Sequence, residues 1–130
     1  MSSSLDLTAV AGTLARHPHV IAGWVFGSAQ NGTVRPGGDV DVGVLFDREP
    51  DLDEMADLRA DLQEALHFDR IDLVVLNKAQ VILRFEAISG QRVYCRDAER
   101  MADFVSLTAR EYEDAMALLQ YGLEVQRGER

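Results

Sequence analysis

The apolar positions of this chain change their period several times, and each change marks an element. Leu7, Val10 and Leu14 recur at helical spacing, which predicts a first helix from Leu5 to Arg16, capped by Ser3 or Ser4 and stopped by His17-Pro18. Val20 to Phe26 (VIAGWVF) is apolar throughout, the pattern of a buried strand that takes Trp24 into the core. The pattern then lapses from Gly27 to Gly38, where four glycines and Pro36 predict turns. Asp39 to Phe46 (DVDVGVLF) alternates, with Val40, Val42, Val44 and Phe46 on one face and Asp39, Asp41 and Gly43 on the other.

Pro50 and Asp51 open a second helix along which Leu52, Met55, Leu58, Leu62 and Leu66 form the apolar stripe. Ile71 to Leu76 (IDLVVL) predicts a third strand, and about Ala79 to Ser89 a third helix ending at Gly90 as a left-handed stop. Arg92 to Cys95 suggests a short fourth strand. From Asp97 to about Gln126 one long helix follows, its stripe running through Met101, Phe104, Val105, Tyr112, Met116, Leu119 and Leu123. At 1.5 Å per residue it spans ~45 Å, more than a compact domain of this size needs.

At 130 residues, residues 1–130 are expected to form a single domain. The hydrophobic fraction of 47% is enough for a core without disulfides, and Cys95 is the only cysteine, which excludes an internal disulfide and a multi-cysteine zinc site. No apolar run reaches the ~20 residues of a membrane span, and MSSSLDLTAV lacks the basic leader of a signal peptide, so a cytoplasmic location is expected. Thirteen basic against 22 acidic residues leave a net charge of −9. That balance argues against direct binding of nucleic acid, which needs basic patches, and favours a basic protein partner or a metal-bridged nucleotide. His17, His19 and His67 have no zinc-type spacing and read as surface residues.

The chemistry is carried by acids. Asp39 and Asp41 project from one strand face, where two carboxylates repel each other unless a divalent cation stands between them. The same pair could be the hydrated face of an edge strand. Asp72 is a third acid inside an apolar strand, either beside the first two in an oxygen-only site suited to magnesium or manganese or in a salt bridge with Arg70 or another basic group. Gly27-Ser28 follows a buried strand, and its backbone and hydroxyl can approach a phosphate closely. Ten residues separate this dipeptide from Asp39-x-Asp41.

With that spacing, FGSAQNGTVRPGGDVDVGVLF from Phe26 to Phe46 resembles the Gly-Ser…Asp-x-Asp signature of the DNA polymerase beta-like nucleotidyltransferases. The small size, the third acid in RIDLVVL, and GQRVYCRD and REYEDAM downstream resemble the minimal nucleotidyltransferase (MNT) proteins in particular. The resemblance implies an α+β (α/β) nucleotidyltransferase fold, a short mixed sheet backed by helices. It also implies an antitoxin that moves AMP from ATP to a tyrosine of a HEPN-domain ribonuclease toxin, in a hetero-oligomer with that toxin. On this likeness Asp39, Asp41 and Asp72 bind Mg2+ and are catalytic, and Gly27 and Ser28 hold the triphosphate. Relatives often carry a basic residue where Asn31 stands here and a serine where Gly38 stands. Arg35 either replaces that cation at the nucleotide or is a solvated loop residue. These departures keep two alternatives in view: a catalytically weak module that neutralises the toxin by binding, or a small-molecule nucleotidyltransferase.

Overall fold

The alternation of residues 39–46 builds the centre of the molecule. The computed structural model describes residues 3–128. Its elements are β1 (Ser3–Ser4), α1 (Leu7–Ala15), β2 (Val20–Phe26), a 3-10 turn (Gly27–Ala29), β3 (Thr33–Val34), β4 (Val40–Phe46), α2 (Leu52–Leu66), β5 (Ile71–Val75), α3 (Val81–Ile88), β6 (Gln91–Cys95) and α4 (Ala98–Arg127). Four strands make a mixed sheet in the order β5-β4-β2-β6. β4 runs antiparallel to β2 and parallel to β5, and the crossover from β4 to β5 contains α2. The fold is therefore the expected mixed sheet backed by helices.

The two faces of β4 divide the core. Val40, Val42, Val44 and Phe46 pack with Val10 and Leu14 of α1 and with Leu58 and Leu62 of α2, all buried. Leu45 faces the other way, into a cluster with Trp24, Phe26, Leu76, Ala87 and Met101. At Gly43 a Cβ would lie 3.1 Å from that of Ala87, so α3 approaches the sheet closely. The acid-bearing face of β4 is thus the face covered by α3 and α4.

Local chemistry explains the element ends. Asp51 caps α2 through a reciprocal pair: its carboxylate accepts from Glu54 N at 2.8 Å, and Glu54 Oε1 accepts from Asp51 N at 3.2 Å. Arg48 donates to the same Glu54 carboxylate at 2.8 and 3.1 Å, which holds it below the ordinary carboxylate range. Asp51→Ala is expected to destabilise the chain by about 1 kcal/mol, read as a lower urea midpoint with an unchanged slope. An unchanged midpoint would show that the box adds nothing.

Several expectations are corrected. α1 begins at Leu7 and is capped by Asp6, whose carboxylate accepts from Ala9 N at 3.0 Å; Ser3 and Ser4 instead pair with Val34 and Thr33. Leu52 is 82% exposed, because it sits on the first turn of α2. Gly90 does not have the positive φ expected of a left-handed stop. Its reason is proximity: a Cβ there would meet Val25 O at 2.6 Å and Phe26 Cβ at 2.7 Å. In α4 only Met101 and Thr108 are buried, and Leu118, Leu119, Leu123 and Val125 of the outer turns are exposed. Among the described residues no helix is long and apolar enough to cross a membrane.

Candidate active site

Strand register brings the acids together. The last residue of β2, Phe26, lies opposite Asp41 on β4, and Asp41 lies opposite Asp72 on β5. Two residues 31 apart in sequence thereby share one face, with their carboxyl groups close enough to act on each other. Burial first, then Asp72, then the charges of Asp39 and Glu86, raise the pKa of Asp41 above its ordinary value.

Asp39 precedes β4 and is exposed at the mouth of the site, where it acts on Asp41 more weakly than Asp72 does. Among the described residues no three acidic, histidine or cysteine side chains are already gathered around one ion position. None of Asp39, Asp41 and Asp72 makes an ion pair among these residues either. Arg70 donates to Gly37 O, so the salt bridge that was the alternative for Asp72 is not formed.

The glycine of the glycine-serine turn lies directly against Asp41. Gly27 has φ +72°, and a Cβ there would overlap Asp41 Oδ2. Glycine is required twice over, by the left-handed backbone and by the space the carboxylate takes. Ser28 follows, exposed. The helical segment here has only three residues, Gly27–Ala29, so little macrodipole is available and individual amides must meet an anion. Arg35 is exposed in a turn closed by Gly38 N donating to Arg35 O at 2.9 Å. Asn31 Oδ1 accepts from Thr33 N at 3.1 Å and so serves the turn.

The sequence profile of the family described as Polymerase beta, Nucleotidyltransferase matches residues 9–99, from α1 through β6 to the start of α4. The chain belongs to this family. No curated protein matches it. Among solved structures, this nucleotidyltransferase is similar to a chain of a toxin-antitoxin complex with AMP-PNP, at 23% identity over 95% of this chain and 99% of that one, with a TM-score of 0.75. It is also similar to a chain of the Shewanella oneidensis complex of a tri-AMPylated HEPN toxin with an MNT antitoxin, at 20% identity over 94% and 99%, with a TM-score of 0.68. A third likeness is to a chain of the MntA-HepT toxin-antitoxin complex, at 20% identity over 93% and 96%, with a TM-score of 0.69. Identities this low establish a shared fold.

The donor set of this nucleotidyltransferase fits a hard divalent cation. It is made of carboxylates alone, no ion pair compensates them, and a cation would offset the repulsion that raises the pKa of Asp41.

Sequence reasoning passed over two features of the same face. Glu86 of α3 adds a fourth negative charge near Asp41. Phe85 of α3 and Tyr112 of α4 stack face to face, with centroids 3.8 Å apart and planes 8° from parallel. Tyr112 was expected in the apolar stripe; it also lines a cavity beside Gly27. Glu86 was legible only as a polar position in VILRFEAI, since its neighbourhood depends on how α3 crosses the sheet. A second cavity, near Pro50, Met55 and Val75, lies at the opposite end of β4 from the acids.

Proposed function

We propose that this chain transfers AMP from ATP to a tyrosine hydroxyl of a HEPN-domain toxin and so neutralises it. The observation that carries the reading is Asp41, paired in register with Asp72, lying against the backbone of Gly27, in a member of a nucleotidyltransferase family. The protein acceptor is supported by likeness to the complexes with AMP-PNP and with a tri-AMPylated HEPN toxin. The exposed leucines of outer α4 supply apolar surface for a stable hetero-oligomer with that toxin. A cytoplasmic location accords with this role.

Gly27 and Ser28 hold the triphosphate through backbone amides and the Ser28 hydroxyl, with Arg35 close enough in sequence to add charge. Asp72 accepts the proton of the incoming tyrosine hydroxyl. The tyrosine oxygen bonds to the α-phosphorus, the bond from that phosphorus to the bridging oxygen breaks, and pyrophosphate leaves with the electron pair. Mg2+ held by Asp39, Asp41 and Asp72 would supply charge neutralisation and Lewis-acid polarisation of the phosphoryl oxygens.

Incubation with ATP labelled at the α-phosphate, magnesium and the toxin encoded beside this chain is expected to label the toxin on tyrosine, and EDTA to abolish the label. A stable complex that never acquires label would overturn the transfer reading. It would favour neutralisation by binding alone, for which the exposed α4 surface also speaks.

A further inference from the structure

A cavity of about 470 Å³ opens beside Gly27, between the 3-10 turn, α3 and α4. One wall is the Phe85–Tyr112 stack. Its polar lining is uneven. Glu86 can only accept hydrogen bonds when ionised, and Ser89 Oγ already donates to Phe85 O at 2.7 Å, so it too is left accepting. Gln30 alone among these side chains has N–H groups to offer. An aromatic wall beside an acceptor-only carboxylate and the donors of Gln30 and the Tyr112 hydroxyl suits a flat heterocycle that carries an amine and has ring nitrogens to accept.

We propose that this cavity is the nucleobase subsite, in which the outer face of Tyr112, backed by Phe85, stacks against the ring and Glu86 accepts from its exocyclic amine, favouring adenine. The inference rests on the nucleotidyl-transfer reading, and contact with Gly27 is what ties the two together: a triphosphate on that turn leaves its base one ribose away. A base with an oxygen in place of the amine brings its lone pairs against the Glu86 carboxylate. The residue therefore sets specificity as well as affinity.

The test measures dissociation constants of ATP, ITP and inorganic tripolyphosphate, each with magnesium, for the wild-type chain in its toxin complex and for Glu86→Gln and Tyr112→Leu. Wild type is expected to prefer ATP over ITP by about tenfold, the usual worth of a hydrogen bond to a charged group. Glu86→Gln should bring the two within about twofold, because a carboxamide can turn its N–H toward the oxygen. Tyr112→Leu should weaken both nucleotides by about tenfold, the loss of one stacking partner. Tripolyphosphate should bind all three proteins equally. Glu86 is exposed, so its variant keeps the test decisive if Tyr112→Leu fails to fold.

Nucleotide affinities and ATP/ITP ratios unchanged in both variants would overturn the subsite and leave the transfer reading standing. So would a Tyr112→Leu effect confined to the KM of the toxin acceptor, which would give the cavity to the acceptor instead. A wild-type protein that binds neither nucleotide would overturn both readings together.

Discussion

Asp41→Asn is expected to lower AMP transfer by about 10³-fold or more while raising the thermal midpoint of the metal-free chain. The loss follows from removing one anionic oxygen of the carboxylate set, since the charge stabilisation lost is worth several kcal/mol and each 1.36 kcal/mol is tenfold in rate. The gain follows from the raised pKa of Asp41. Burial and the neighbouring acids Asp72, Asp39 and Glu86 hold its folded value above the 3.8 of an unperturbed aspartate. The folded state then binds protons more tightly than the unfolded one, so stability falls as pH rises from about 3.8 through the folded value. Asparagine removes that cost. The difference in midpoint should therefore be seen at pH 7 and vanish near pH 3. Transfer within tenfold of wild type would sink the assignment of Asp41 as a metal ligand, and a lower midpoint at pH 7 would show that its carboxylate holds the fold together.

Gly90→Val is expected to destabilise the protein by about 2–3 kcal/mol, a drop of roughly 10 °C in the midpoint. The atoms in the way are chiefly backbone: Val25 O at 2.6 Å and Phe26 Cα at 2.9 Å from the new Cβ. A side chain can change rotamer, but β2 is hydrogen-bonded on both sides and cannot yield. The turn into β6 must move away instead, which disturbs Phe26 and, next to it, the Gly27 turn. Calorimetry of Gly90→Ala and Gly90→Val would check this: a graded loss is expected, and two variants as stable as wild type would show that the turn shifts freely.

How much of this was legible depended on whether the information was local. The alternation of residues 39–46 specified which face carried Asp39 and Asp41, because a strand has a period of two and no other arrangement buries four valine and phenylalanine side chains together. The capping of α2 by Asp51 was equally local. Asp72 was recognisable as a costly charge, yet the choice between Arg70 and the other acids lay in the parallel register of β4 and β5, which sequence spacing does not encode. Gly90 was misjudged because glycine serves two physical needs, a positive φ and close approach, and both follow a helix equally well. The start of α1 was misplaced because Ser4 and Asp6 are both good caps, and pairing of Ser3–Ser4 with Thr33–Val34 decides between them. The Phe85–Tyr112 stack joins two helices whose crossing no local pattern reveals.

The last buried side chain of α4 is Thr108, although the helix continues to Arg127. Its inner turns share the fate of the sheet, while the outer ones draw mainly on intrinsic propensity and on neighbours a turn away, such as Gln120 and Glu124. Helical content and cooperative unfolding are then different quantities in this chain: on warming, part of the first is surrendered by fraying before the second begins.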